Sequence, residues 1–337
     1  MDRQRCRLAI FAVMALGALA SASAANAQPT YTLRYAVDTE RNINALAQTV
    51  AERQGFFTRE GISLQPVRFV ATGDRPTDRT ALVASRDTFD MARMQLSVLM
   101  EPDGRFKGTN YVAVSAVVNN PAYFLVARPD IKTFADLKGK ILTEPSPTDP
   151  ITLTARKLLE THGLKEGDVE IKTIAGSQPR VDCLKSGACA AGSLSQPSVF
   201  AAFDAGFHTL AMHIETGSLL YVVDIVDRSW AETHSELIVR YIRATAAAMR
   251  FIHDPRNLDE VVKAATEITH QPENRVREML SYFSYAKNDV LPKQGEIDIA
   301  AVKATIALFG QYGILKTPLP PPEHFVDLRY AQMAGIQ

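Results

Sequence analysis

Residues 140–206 read KILTEPSPTDPITLTARKLLETHGLKEGDVEIKTIAGSQPRVDCLKSGACAAGSLSQPSVFAAFDAG, and their pattern decides the fold. Strand-like runs at Lys140 to Thr143, Glu170 to Ile174 and Cys189 to Ser193 alternate with helix-length segments at Asp149 to His162, Pro179 to Ser186 and Pro197 to Gly206. Gly163 stops the first helix and Ser186-Gly187 ends the second. Alternation at this spacing calls for a parallel sheet with covered faces, an α/β architecture.

The same grammar runs on the N-terminal side. A strand at Tyr31 to Val37 precedes a helix whose apolar residues Ile43, Leu46, Ala47, Val50 and Ala51 follow the 3.6-residue period, and Gly55 closes it. A strand at Ile62 to Phe69 leads through Ala71-Thr72-Gly73-Asp74 to a helix at Pro76 to Ser85 and a short strand at Thr88 to Met91. Two β-rich runs, Tyr111 to Val118 and Tyr123 to Ala127, flank Asn119-Asn120-Pro121, where the chain crosses from one α/β unit to the next. A return crossing falls within Leu210 to Val226. Helices are expected at Trp230 to His253, Asn257 to Thr269, Glu273 to Phe283 and Ile297 to Tyr312, followed by a polyproline-like strap, Pro318 to Pro322, that packs back on the first unit. A short echo between Ala81–Val98 and Cys183–Val199 hints at two related units. The reading is a discontinuous lobe 1 (residues 28–120 and 215–337) and a continuous lobe 2 (residues 121–214).

The first 27 residues carry an address. Arg3, Arg5 and Arg7 precede an apolar run from Leu8 to Ala20, and Ala25-Asn26-Ala27 offers the small-x-small pattern cut by signal peptidase. The apolar run is shorter than the roughly 20 residues of a spanning helix, so it reads as a cleaved leader with a mature chain starting at Gln28. Without the leader's three Arg and one Asp, the 37 basic and 37 acidic side chains become 34 and 36, a net charge of −2. That balance gives no reason to expect nucleic acid or an anionic membrane as a partner. A soluble, monomeric protein of an oxidising compartment, the bacterial periplasm, is expected. There Cys183 and Cys189 could pair as a disulfide, or sit as two small apolar side chains in a buried corner; no His lies within ligand spacing of them.

Phe134 to Lys140 (FADLKGK) resembles the soluble binding proteins of bacterial ABC importers, more narrowly the family serving nitrate, taurine, alkanesulfonates and thiamine-precursor pyrimidines. The resemblance continues in order through AERQGFFTREG (51–61), YFLVARP (123–129), LKSGACAAGSLSQP (184–197), RSWAETHSE (228–236) and Gly313 to Leu315. It implies a two-lobed periplasmic binding protein fold, type II-like, with two interlobe crossovers closing on a small molecule, and an inner-membrane ABC permease as partner. The chain departs from the family at Ala190, where Asp is common, and at Arg86-Asp87-Thr88, which replaces a Gly-containing turn.

In open α/β sheets, ligands sit beyond the carboxyl ends of the strands, where helix N-termini offer unpaired N–H groups and positive dipole ends. Four such junctions stand out, and from them come Asp38, Arg41, Asn42, Thr72, Arg75, Ser146, Thr148, Ser177 and Arg180 as candidate ligand contacts. Gln95 with Ser97, and Gln196 with Ser195, follow strands in the two lobes; Asn119, Asn120 and Tyr123 mark the crossing. A guanidinium fork from Arg41, Arg75, Arg93 or Arg180 would clamp a carboxylate or sulfonate, which tilts the reading toward an organic anion and leaves neutral pyrimidines open. The chain has no Gly-x-Ser-x-Gly elbow, His-Glu-x-x-His pair or phosphate loop, and its histidines are scattered. No catalytic residue, metal or cofactor is therefore expected. The competing readings are a fold-related enzyme of the pyrimidine synthase type and a binding module serving a sensor.

Overall fold

Strand-forming runs and capped helices recur through the chain, and a computed structural model describes them over residues 31–37, 43–68, 89–101, 109–283 and 290–336. The leader and the helix expected at Pro76 to Ser85 lie outside the described residues. Among the described residues, ten strands form two five-stranded sheets. The first contains β1 (Tyr31–Val37), β2 (Ile62–Arg68), β3 (Met91–Gln95), β4 (Tyr111–Val118) and β10 (Val222–Asp227), in the order β2-β1-β3-β10-β4. The second contains β5 (Tyr123–Ala127), β6 (Ile141–Glu144), β7 (Glu170–Thr173), β8 (Ala191–Ser195) and β9 (His208–Met212), in the order β7-β6-β8-β5-β9. The two orders are the same pattern. Three strands run parallel, and a fourth, β10 or β5, runs antiparallel to its neighbours.

That pattern fixes the working edge of the molecule. The chain crosses between sheets from Val118 to Tyr123 and from Met212 to Val222. Because β5 and β10 oppose the parallel strands, their first residues lie at the carboxyl ends of β6–β8 and β1–β3. The carboxyl ends of both parallel sets therefore adjoin the crossings.

Around the sheets lie α1 (Leu46–Arg53), α2 (Phe56–Arg59), α3 (Pro150–Thr161), α4 (Ser177–Lys185), α5 (Ser198–Phe203), α6 (Arg228–Thr233), α7 (Ser235–His253), α8 (Leu258–Thr269), α9 (Glu273–Phe283), α10 (Ile299–Gln311) and α11 (Arg329–Met333). Asp149 caps α3 by accepting from Ile151 N at 2.9 Å, with Pro150 at the first helical position where its missing N–H is harmless. Asp298 caps α10 in the same way. Close sheet packing has a local cause at Gly192: a Cβ there would lie 2.5 Å from Thr143 Cγ2 of the neighbouring strand.

Several expectations shift. The strand placed at Thr88 to Met91 is Met91–Gln95, because Arg93 is buried among polar partners and so broke the apolar alternation that would have revealed it. The helix expected over Trp230 to His253 is two, α6 and α7, joined at His234, whose backbone leaves the helical region at φ −126°. Lys140 to Thr143 and Cys189 to Ser193 move by one and two residues to Ile141–Glu144 and Ala191–Ser195. Beyond the Pro318 to Pro322 run, the chain joins the first sheet: Ala113 N donates to Phe325 O at 2.9 Å, and Asp327 N to Ala113 O at 2.8 Å. Cys183 and Cys189 are disulfide-bonded with Cα atoms 5.3 Å apart, closing the turn from α4 into β8.

Each sheet's surroundings include a helix lent by the other side. Leu153 of α3, fully buried, belongs to the core cluster of Leu219, Leu220, Ile306 and Phe309 beside the first sheet. In the opposite sense α9 reaches the second sheet, where Tyr282 meets Phe124 edge to face at 5.2 Å and Arg275 pairs with Asp204 beneath its contact with Phe200.

Candidate functional site

At the shared edge, Tyr123 opens β5 and Tyr221 precedes β10. Their rings meet at 79° with centroids 6.2 Å apart, and Tyr123 also meets His213 at 82° and 6.2 Å. Gln95, at the end of β3, donates from Nε2 to Tyr221 Oη at 2.8 Å, and Ser97 Oγ lies 3.4 Å from Gln95 Oε1. The two crossings are tied together where Leu219 N donates to Asn120 Oδ1 at 2.9 Å. An aromatic corner, edged by amides from both lobes, thus occupies the junction.

Two neighbouring amides have unmet capacity. Gln196 follows Ser195, the strand partner of Tyr123; the residue is 4% exposed, and neither Nε2 nor Oε1 has a hydrogen-bond partner. Asn119 Oδ1 is also buried without a partner. Unpaired buried amide atoms cost stability, so their survival at a strand-end junction marks a place where a further polar group would be welcome.

Ser177 and Ser195 face one another at 2.8 Å, and Ser177 Oγ also accepts from Ser195 N at 3.1 Å. Thr148 Oγ1 lies 3.4 Å from Glu101 Oε1, a contact between the α3 entrance and the β3 side. Ser146 is half-buried beside it. Asp38, Arg41, Asn42, Thr72 and Arg75 lie outside the described residues.

A family model described as NMT1/THI5 like matches residues 42–257. The chain belongs to this family. Among solved structures, the NMT1/THI5-like chain is similar to the periplasmic aliphatic sulphonate binding protein SsuA from Escherichia coli, with 14% identity and a TM-score of 0.68 over 90% of this chain and 99% of that one. It is similar also to the periplasmic nitrate-binding protein NrtA from Synechocystis PCC 6803, at 12% identity and a TM-score of 0.71 over 90% and 88% of the two chains. A third likeness, at 15% identity and a TM-score of 0.66 over 90% and 98%, is to the desulfurization enzyme DSZB. No curated protein matches the sequence. The two-lobed binding-protein fold and the family resemblance read from the motifs both hold.

Within the NMT1/THI5-like frame, Arg180 is not the open fork that its sequence position suggested. The α4 helix begins at Ser177, two residues earlier than expected, and carries Arg180 inside its first turn. There the side chain is fully buried and donates from Nε to Ser193 O at 2.7 Å, from Nη1 to Ile174 O at 2.9 Å and from Nη2 to Ser177 Oγ at 3.0 Å. It acts as an internal strut for the strand-end loops. Arg93 is likewise 7% exposed and donates to Gln48 Oε1 at 2.9 Å within the first lobe. Phe124 is core, and Trp230 stacks on His234 at 4.4 Å.

Sequence reasoning passed over three groups that this edge assembles. Tyr221 was hidden in the apolar run of the return crossing. His213 was one of the scattered histidines; it is buried with Nε2 2.8 Å from Ser193 Oγ and Nδ1 2.7 Å from Thr154 Oγ1. Glu144 looked like the start of a loop; it ends β6 fully buried, 2.5 Å from Ser193 Oγ. The period-2 position of Ser193 in a strand otherwise lined by small and apolar residues was the available signal. Among the described residues, no helix is long and apolar enough to cross a membrane, and no cluster of His, Cys, Asp and Glu is arranged to hold a metal ion.

Proposed function

We propose that this protein is the exported solute-binding component of an ABC importer, which holds a small organic solute between its lobes and hands it to an inner-membrane permease. The observation that carries the reading is the unpaired buried carboxamide of Gln196 together with the unpaired Asn119 Oδ1, beside the Tyr123–Tyr221 corner, at the edge where the carboxyl ends of both sheets adjoin. Closing the lobes on a solute that satisfies both sides would shift an open-to-closed equilibrium, and the permease would read the closed form. Gln95, Asn120, Tyr123, Ser146, Thr148, Ser177 and Gln196 are the described residues proposed to line the site, with Asp38, Arg41, Asn42, Thr72 and Arg75 as its expected remainder. Since Arg93 and Arg180 are engaged internally, any clamp on an anionic solute falls to Arg41 and Arg75. The 1–27 leader, a periplasmic location and a monomeric state belong to the same proposal.

Titration calorimetry of the mature protein against sulfonates, carboxylates and pyrimidines is the test. Micromolar binding of one class, weakened at least tenfold by Gln196→Ala, is expected; no binding across all three classes would overturn the reading. The likeness to DSZB favours one competitor, an enzyme on the same fold. Mass spectrometry of the solute after prolonged incubation separates the two, because a carrier returns it unchanged.

A further inference from the structure

Under the second-lobe edge of the junction, four side chains from four elements form one continuous hydrogen-bonded chain. Glu144 ends β6, Ser193 lies in β8, His213 follows β9 and Thr154 sits in the first turns of α3. All are at most 1% exposed. The contacts run from Glu144 Oε1 to Ser193 Oγ (2.5 Å), from Ser193 Oγ to His213 Nε2 (2.8 Å) and from His213 Nδ1 to Thr154 Oγ1 (2.7 Å). Beyond these, Thr154 Oγ1 lies 2.9 Å from the carbonyl oxygens of both Pro150 and Ile151. Nothing in the solute-binding reading uses this chain.

Counting protons leaves it two arrangements. Each hydroxyl has one proton to give, and a neutral imidazole has one N–H, so one ring nitrogen must donate and the other accept. With Glu144 ionised, Ser193 must donate to the carboxylate, so His213 Nε2–H donates to Ser193 and Thr154 donates to Nδ1. With Glu144 protonated, its O–H donates to Ser193, Ser193 donates to Nε2, Nδ1–H donates to Thr154, and Thr154 donates to the α3 carbonyls. Glu144 Oε2 has no partner, which places the acid proton on Oε1, where it is used.

We propose that these four side chains are a one-proton switch in which the charge state of Glu144 sets the tautomer of His213 and, through Thr154, the hydrogen bonding of the first turn of α3. The groups facing Glu144 are Ser193 from β8, Arg180 from α4 and Asp149 from the cap of α3, with His213 one link away. Burial, the largest influence, pushes the Glu144 carboxyl up to about 8; Ser193 and Arg180 oppose it and Asp149 adds to it. Burial first, and then Arg180, hold His213 down at about 3, so the ring stays neutral and only its tautomer changes. The switch reaches the junction at two points, since Tyr123 packs on the His213 ring and the α3 entrance carries Thr148.

Long-range proton–nitrogen NMR of the full mature chain labelled with 15N-histidine tests this from pH 6 to 10. The expected result is a His213 ring protonated on Nδ1 at pH 6 that becomes protonated on Nε2 with a midpoint near 8, without passing through the cation. Glu144→Gln abolishes the exchange, and Ser193→Ala, which cuts the chain at its second link, uncouples it. A single tautomer throughout, an imidazolium signal in this range, or an unchanged exchange in either variant would overturn the proposal. No solute is needed for the measurement, so its failure leaves the binding reading to its own test.

Discussion

The two lobes place equivalent strands in equivalent order and then fill the same positions with opposite chemistry. Register makes the match concrete: Arg93 pairs with Asp224 across β3 and β10, and Ser193 pairs with Leu125 across β8 and β5. In the first lobe, Asp224 accepts from Tyr35, from Ser115 Oγ at 2.8 Å and from Tyr241 Oη at 3.1 Å, while Gln48 links Tyr35 and Tyr241 to Arg93. A buried carboxyl there sits in a shell of donors with a cation nearby. In the second lobe, Glu144 has one hydroxyl partner and an unpaired oxygen. A shared sheet order dictates where polarity can be buried, but not whether it is carried as charge or as a relay of neutral groups.

Removing the first-lobe carboxyl should have the largest effect. Asp224→Ala leaves three hydroxyl donors without their acceptor and the buried Arg93 charge without its neighbouring carboxylate, and should cost about 3–5 kcal/mol in urea unfolding, as for other broken buried pairs. A loss below about 1 kcal/mol would erase the contrast between lobes.

The second-lobe carboxyl predicts a pH dependence instead. Its folded pKa, about 8, lies above the ordinary value of 4.5, so the native state holds a proton that the unfolded chain releases. The stabilisation is fully present below pH 4.5 and is lost as pH rises to about 8. Glu144→Gln should therefore flatten the decline of unfolding free energy between these limits, by on the order of 1 kcal/mol per pH unit. Urea titrations of both proteins at pH 5, 6, 7 and 8 check the sign and the slope.

Smaller effects sharpen the comparison. Only the second lobe has a cross-link, and replacing Cys183 and Cys189 by Ala should lower stability by about 2 kcal/mol, the loop-closure value for so short a ring. Thr148→Ala removes one long bond between the lobes at 3.4 Å and should cost under about 0.5 kcal/mol, a shift of a degree or two in melting temperature.

The α/β repeat of residues 140–206 was readable because its helices announce their starts and stops: Asp149 before Pro150 and Gly163 after His162 are local signals. The register of β3 was not readable, since Arg93 looks like a surface residue until Gln48 and Asp224 from distant parts of the chain surround it. The same separation hid much of the junction. Tyr123 and Gln196 could be named from strand ends, whereas Tyr221 and His213 acquire meaning only when the return crossing lies beside the first one. Arg180 shows the converse error. Proximity in sequence to a helix N-terminus suggested an open cation, and a start two residues earlier turned it inward.

The exchange of helices between the two sides sets a limit on how such a molecule could be taken apart. Cutting at the crossings would strip Leu153 of the Leu220–Phe309 cluster and Phe124 of Tyr282, so neither fragment would keep a closed apolar interior. Recombining this chain with a relative by swapping whole lobes would require α3 and α9 to travel with their hosts' packing surfaces. The covalent map has two connections between the sheets; the practical unit of inheritance is the whole chain.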